Sequence, residues 1–413
     1  MRIEIIASGD EIVTGRITDT NSSRLAFELT LRGFDVARIH AIGDDLDGIS
    51  ALLLECASRA ESVICAGGLG PTSDDLTTEA AANAAGATLE FREEAWREIE
   101  ERFAKINLPL APTNRKQAFL PAGAEILPNP IGTAPGFLMN IDNTPCFFAP
   151  GVPRELFRMF DEQILPRLEK TRTDSDVYTA RIWRTFGHTE SGLGELLQGL
   201  AKDDRSVRLS FRASFPEIIV GLSVRAENLG EAERKLESLA PDVERRIGQW
   251  VYTRDNRGLP EVVGDILREK GLKLAVAESC TGGMIGEMLT TVPGCSDYFA
   301  GGVISYSNEL KIKVLDVPEE IIRRHGAVSA ECARFMAEGA RKLAGAHIGL
   351  AVTGVAGPGG GTPEKPVGAV WLACASDRGV ESRGGQWPRG DREQIRLITS
   401  FAALDLLRRV LTE

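Results

Sequence analysis

From residue 3 onward, short apolar runs alternate with segments whose apolar positions recur every three or four residues, which predicts successive strands and helices. Residues 3–7 read as a strand, the stretch near 22–32 as a helix and 35–42 as a second strand. A helix near 46–60 follows, then a strand at 62–65 running into Gly67-Gly68-Leu69-Gly70, then a helix over about 75–85. Strands separated by helices in this way predict a parallel, helix-covered sheet. Residues 108–153 are rich in Pro and Gly and read as loops and short strands, one at 145–150, that wrap back onto it. The texture then becomes α+β: a strand at 178–186, a helix at 191–201, strands at 207–211 and 218–226, and a helix at 229–246. The Glu and Arg residues of that last helix, at i,i+3 and i,i+4 spacing, make a solvated face. After a linker, Thr253-Arg-Asp-Asn-Arg-Gly, the βα pattern returns. It has helices at 260–270, 284–289, 329–343 and 392–411, and strands at 273–277, 301–306, 348–353 and 367–375. A second mixed α/β layer fold is expected there.

The length of 413 residues agrees with two to four domains. A formal charge of −11 argues against a general nucleic-acid footprint, so anionic ligands need local devices. Four histidines leave little room for histidine-based metal or triad chemistry. The seven cysteines are scattered and never spaced C-x-x-C, so reduced thiols are expected rather than disulfides or zinc. No apolar run reaches the 18 or so residues of a membrane span and the N-terminus reads as a strand, so a cytoplasmic protein with no membrane partner is expected.

Three glycine turns leave strands and enter helices. In the first, Gly67, Gly68 and Gly70 let the backbone approach a ligand, and a helix N-terminus favours phosphate. The spacing is neither G-x-G-x-x-G nor a Walker loop. Asp74 and Asp75 allow two accounts: carboxylates complementing the helix dipole, or hard oxygen ligands for a divalent metal. Asp10-Glu11 after the first strand and Asp44-Asp45 after the second repeat the acidic theme at strand ends, where ligands of open α/β sheets bind.

The second turn, Glu278-Ser279-Cys280-Thr281-Gly282-Gly283, places a serine where N–H groups of the following helix could hold an oxyanion. The plainer account is that Ser279 and Thr281 are N-caps. Cys280 has no nearby histidine and reads as structural. His325 and His347 show no partner acid, so a Ser-His-Asp triad is unsupported. Tyr306, at the end of a strand, and Lys311, one helical turn later, are candidate bases of the Ser-Lys type, although a lysine in Asn-Glu-Leu-Lys-Ile-Lys is ordinarily surface. The third turn, Thr353-Gly354 through Pro366, suggests a mobile loop over a ligand or a long linker, the linker being the weaker account because a strand resumes at 367. Arg389-Gly390-Asp391-Arg392 opens the last helix, where an arginine can meet a phosphate, although a lone arginine there is more often surface.

Taken together, these motifs resemble the CinA family of competence/damage-inducible proteins over nearly the whole chain. Gly9-Asp10-Glu11, Thr20-Asn21, Gly43-Asp44-Asp45, Gly67 to Thr72, Asp74-Asp75 and Pro150 to Pro153 resemble its first domain, itself similar to molybdopterin-binding domains. Ala277 to Gly283, Gly301 to Tyr306, Gly326 to Ser329 and Thr353 to Pro358 resemble its C-terminal amidohydrolase domain. The resemblance implies two three-layer α/β domains, 1–170 and 254–413, joined by a small KH-like α+β domain over 171–253. It further implies a bifunctional enzyme of pyridine-nucleotide recycling. The C-terminal domain would deamidate nicotinamide mononucleotide to nicotinate mononucleotide and ammonia, with Ser279 as nucleophile, Tyr306 and Lys311 handling the proton, and Thr281, Gly282, Gly283, Thr353, Gly354 and Arg392 binding substrate. The first domain would split ADP-ribose into AMP and ribose 5-phosphate. There Asp44 and Asp75 would act as catalytic or metal-holding acids, with Asp10, Asn21, Gly67, Gly68, Gly70 and Thr72 around the substrate. A divalent metal, Mg, Mn or Co, is the implied cofactor of the first domain, with potassium as a further candidate, and none is implied for the amidase. The Gly187-His188-Thr189-Glu190 turn lacks the G-x-x-G clamp, so RNA is not expected as a partner. A homodimer is expected. The rival account is a non-catalytic nucleotide sensor that partners the competence and recombination machinery.

Overall fold

A computed structural model of the protein describes residues 1–172, 176–201, 204–387 and 390–412. The chain forms two compact units, Met1–Ala180 with Ser223–Lys235, and Arg181–Leu222 with Leu236–Glu413.

The first unit runs β1 (Arg2–Ser8), α1 (Asp10–Val13), α2 (Thr20–Leu31), β2 (Asp35–Ile42), α3 (Leu46–Ala57), β3 (Ser62–Ala66), α4 (Thr77–Ala85), β4 (Leu89–Phe91), α5 (Glu93–Lys105), β5 (Phe119–Pro121), β6 (Glu125–Leu127), β7 (Gly136–Ile141), β8 (Thr144–Ala149), α6 (Pro153–Met159) and α7 (Leu165–Thr171). Its main sheet has the order β2-β1-β3-β8-β7-β6. The first four strands are parallel, while β7 and β6 are antiparallel additions, so the sheet is mixed rather than wholly parallel. Central strands bury both faces. On β3, Val63 and Cys65 join one core and Ile64 and Ala66 the other, as the period of two along a strand requires. Helices therefore cover both faces, and the turns after β1, β2 and β3 all emerge at one edge.

The chain continues with β9 (Val177–Phe186), α8 (Glu190–Leu196), β10 (Val207–Ser214), β11 (Glu217–Ala226), α9 (Leu229–Ile247) and β12 (Val251–Thr253), forming a small sheet of order β10-β11-β9-β12. Within the second unit, the buried Glu217 carboxylate accepts from Arg184 and from the Tyr252 hydroxyl, so this charge is paired inside the core.

Then follow α10 (Leu259–Glu269), β13 (Leu274–Glu278), α11 (Met284–Thr290), β14 (Phe299–Ile304), α12 (Asn308–Leu315), α13 (Glu319–His325), α14 (Ala330–Leu343), β15 (Ile348–Gly354), β16 (Ala369–Ser376), β17 (Gly379–Gln386) and α15 (Arg392–Thr412). The sheet order is β14-β13-β15-β16-β17, parallel through β14, β13 and β15 and antiparallel beyond. Along β13, Leu274 and Val276 pack into one core and Ala275 and Ala277 into the other, which makes this a three-layer arrangement. Tyr306, expected at a strand end, lies two residues beyond the end of β14. Among the described residues no helix is long and apolar enough to cross a membrane.

Candidate functional site

In the second unit, β13 ends at Glu278 and the backbone must turn at once into α11. Gly283, at φ 101°, is the N-cap of that helix, a conformation other residues rarely adopt. Neither Ser279 nor Thr281 caps it. The Glu278 carboxylate, 1% exposed, does so instead, accepting from the N–H groups of Gly283 (3.0 Å), Ile285 (3.1 Å) and Gly286 (2.9 Å). The α11 amides are thus occupied, which overturns the expectation that they hold an oxyanion. The N–H groups of Cys280 and Thr281 have no oxygen acceptor among the described residues.

With Ser279 relieved of capping, its hydroxyl accepts from the Lys311 amine at 3.1 Å. Lys311 is 1% exposed, and the same amine donates to the carbonyls of Ser305 (2.6 Å) and Tyr306 (3.3 Å). Burial pushes the Lys311 amine below its ordinary pKa, against a smaller opposing pull from Cys332 and Cys280. No carboxylate pairs with it among the described residues. A desolvated amine beside a hydroxyl is a base suited to activating that hydroxyl. The Tyr306 side chain is 58% exposed and its hydroxyl accepts from Arg392 Nη2 (2.9 Å), while Arg392 Nη1 donates to Gly357 O (2.6 Å). The tyrosine thus belongs to the rim with Arg392.

Ser279, Tyr306, Lys311, Thr353, Gly354 and Arg392 line one cavity of about 200 Å³, six of the residues marked out by the sequence. Cys280, Asn308, Ala327, Val328 and Ala356, not assigned to substrate beforehand, complete it. Burial drives the Cys280 thiol up to about 12, which leaves it protonated and a poor nucleophile. Thr281, Gly282 and Gly283 lie outside this lining; the Thr281 carbonyl accepts from Arg396 (2.8 Å). Thr353 fixes its hydroxyl on Ala327 O (2.8 Å). His325 and His347 are also outside. His325 does have an acidic neighbour, Glu331 at 3.6 Å, and His347 accepts from the Lys273 N–H. Arg389 lies outside the described residues.

In the first unit, the turns after β1, β2 and β3 enclose a cavity of about 540 Å³ lined by Glu11, Asn21, Asp44, Gly67, Gly68, Gly70, Asp74 and Asp75 among others. Gly67, at φ +112°, has no room for a side chain, because a Cβ would lie 2.1 Å from Ser8 O. Asp10 is not part of the lining. Its carboxylate accepts from Asp44 N (3.1 Å) and its own N–H donates to Asp44 (3.0 Å), a reciprocal clasp between the β1 and β2 turns. Burial raises the Asp44 carboxyl above its ordinary pKa, with the charges of Asp10, Glu11 and Asp74 adding to the rise. Helix α4 begins only at Thr77, with Leu76 as N-cap, so Asp74 and Asp75 cap nothing. Asp75 instead accepts from the N–H (2.8 Å) and hydroxyl of Thr72. Asn21 donates to Gly151 O (2.7 Å). Thr72 faces a neighbouring cavity.

Glu4, His40 and Cys56 also bring donor atoms within 4.8 Å of one another. Here Arg59 occupies both Glu4 oxygens (2.7 and 2.9 Å) and His40 sits at 2.8 Å. Burial opposes ionisation of Glu4, yet these bonds hold it down to about 2, while burial lifts the Cys56 thiol to about 12. A guanidinium and a protonated thiol serve a buried ion pair better than a cation.

Compared with known families, residues 256–411 match the CinA C-terminal domain, 4–170 the probable molybdopterin binding domain, and 180–253 the damage-inducible protein CinA KH domain. A CinA-like protein of Citrifermentans bemidjiense is 44% identical over 100% of this chain and 98% of its own. Another, of Geobacter sp. (strain M21), is 45% identical over 98% of this chain and 97% of its own. The crystal structure of the protein CinA with unknown function from Thermoplasma acidophilum is 32% identical, covers 41% of this chain and 98% of that one, and has a TM-score of 0.37.

Proposed function

The chain belongs to the CinA family, and on that premise we propose that its C-terminal domain hydrolyses the carboxamide of nicotinamide mononucleotide to nicotinate mononucleotide and ammonia. The observation that carries this reading is the buried Lys311 amine on the Ser279 hydroxyl. In its neutral form Lys311 takes the serine proton as Oγ bonds to the amide carbon. The resulting ammonium then donates that proton to the departing nitrogen, ammonia leaves, and an ester to Ser279 remains. Water, deprotonated by the same amine, breaks that ester. The amides of Cys280 and Thr281 lie in the turn carrying the nucleophile and suit the developing oxyanion. A cavity of about 200 Å³ is smaller than one that encloses a whole drug-sized ligand, so it suits the pyridine ring and its amide. The ribose phosphate then falls at the rim, where Arg392 lies. Ammonia release by the full chain, in many turnovers per protein, is the expected result. Stoichiometric binding without ammonia favours the sensor account.

A second reading concerns the first domain, as a divalent-metal-dependent ADP-ribose pyrophosphatase. Hard oxygen donors gather at its cavity, and Asp44 carries mutual repulsion that a cation relieves. Asp44 and the Asp75 oxygen not taken by Thr72 would hold the metal, which would polarise the pyrophosphate when bound. The chain's own contribution is the glycine turn, whose backbone can approach the phosphates, and the clasp that fixes Asp44. AMP release from ADP-ribose is expected to stop with chelator and return with Mg or Mn, and Asp44→Asn to slow it at least tenfold or so. Chelator-resistant release overturns the metal assignment.

A further inference from the structure

The sheet of the C-terminal domain has a second concave edge, opposite the one that carries Ser279. A cavity of about 230 Å³ lies there, where β13 and β15 begin and the antiparallel β16 ends. Its walls bring together Lys270 ahead of β13, Arg341 from α14, His347 ahead of β15, and Asp377 and Arg378 from the turn between β16 and β17. The length of β15 separates it from Thr353 and Gly354 of the Ser279 cavity, roughly 20 Å at about 3.3 Å per residue. The two cavities are therefore distinct.

Charge is out of balance in this one. Among the described residues, Lys270 and Arg378 have no acid partner. Arg341 is half-buried and spends one N–H on Ser376 O (2.9 Å), which fixes its guanidinium and leaves its other donors unused. The Ser376 hydroxyl accepts from Arg378 N (3.2 Å) and donates to Gly379 O (3.4 Å), so Arg378 is carried on an ordered turn. His347 Nδ1 accepts from Lys273 N (2.9 Å), which places the proton of the neutral ring on Nε2 as a further donor. Three cations thus face one carboxylate, Asp377, in a chain whose formal charge is −11. Such a surplus is not the by-product of a basic surface.

We infer that this cavity is a binding site for a small phosphate-bearing ligand, gripped by Arg341, Arg378 and Lys270. The uncompensated positive charge matches a phosphomonoester, which carries about −1.5 to −2 at neutral pH, and the arginine fork fits its oxygens. Leu272, Ile348, Val410 and Leu411 supply an apolar floor for a small organic body beside the phosphate. The volume is below that which encloses a drug-sized ligand, so a whole dinucleotide does not fit. A ligand held there stands at the roots of the two strands whose far ends carry Ser279 and Thr353. The site is independent of both activities proposed above.

The test is the ring-proton NMR spectrum of the full chain, which has only four histidines. The signal missing from His347→Gln identifies His347. Inorganic phosphate, added at constant pH and ionic strength against chloride, is expected to shift that signal saturably with a Kd of about 1 mM or tighter. Lys270→Gln with Arg378→Gln, both at exposed positions, should weaken the response at least about tenfold. Arg392→Gln, at the rim of the other cavity, should leave it unchanged. A shift that chloride reproduces, that never saturates, or that keeps its full affinity in the double variant overturns the site. Loss of the shift in Arg392→Gln overturns it as well, by tracing the response to the Ser279 cavity.

Discussion

On the proposed deamidase reading, Ser279→Ala is expected to lower kcat/KM for ammonia release from nicotinamide mononucleotide by roughly 10⁴-fold or more, and Lys311→Met by about 10²- to 10⁴-fold. Both follow from one contact, the 3.1 Å approach of the Lys311 amine to the Ser279 hydroxyl in a buried site. Because the two side chains act as a unit, the double variant is no slower than Ser279→Ala alone. Tyr306→Phe removes the Arg392 partner and leaves the amine and hydroxyl in place, so its effect falls mainly on KM. The pH profile gives an independent check. Burial lowers the Lys311 pKa, so the rate should rise with pH along a limb centred below the ordinary lysine value, and that limb should vanish in Lys311→Met. A Ser279→Ala enzyme within tenfold of wild type refutes the nucleophile. Loss of the limb in Tyr306→Phe instead transfers the base role to the tyrosine.

Glu278→Ala should be the most damaging change outside that pair. It leaves three helix N–H groups without an acceptor in a buried turn, at a cost of roughly 3 kcal/mol or more. For a unit of this size that amounts to a melting temperature lower by about 6 to 12 °C. The turn that carries Ser279 also loses its anchor, so activity falls with stability. Glu278→Gln keeps the shape and one acceptor oxygen and should be intermediate in both. An unchanged melting temperature with a lost rate assigns Glu278 to the chemistry rather than to the turn.

Much of the fold was legible because its physics is local. The stretch 35–42 is a strand with those bounds, and the three glycine turns fall where strands end. The elements absent from the sequence reading had weaker signals or no motif attached. Strand β17, Gly-Val-Glu-Ser-Arg-Gly-Gly-Gln, lies at the sheet edge with most of its residues in solvent, so no apolar alternation marks it. Helix α5 repeats Ala95, Ile99 and Phe103 at i,i+4, a pattern readable in principle, but with no motif beside it to draw attention to it.

The candidate site was legible in part of its membership, Ser279, Tyr306, Lys311, Thr353, Gly354 and Arg392 but not Thr281, Gly282 or Gly283, and not in how its groups pair. Lys311 and Lys313 look alike in sequence, and only the face of α12 that packs inward separates a buried amine from a solvated charge. Glu278 was visible beside the serine, but which helix amides it would take depends on the path of the backbone after Gly283. Asp75 looked like a helix cap because the start of α4 was placed two residues early.

The buried amine of Lys311 also makes the C-terminal domain less robust than its packing allows. A lysine whose pKa falls on folding binds its proton more readily in the unfolded chain. The penalty is therefore present in full below the folded pKa and disappears as the pH climbs through the ordinary lysine value. Selection for robustness alone would place an apolar side chain there. Lys311→Met, the slower protein, should accordingly be the more heat-resistant of the two, with the difference narrowing in alkali, and its thermal gain would measure what the domain gives up to keep an amine beside its serine.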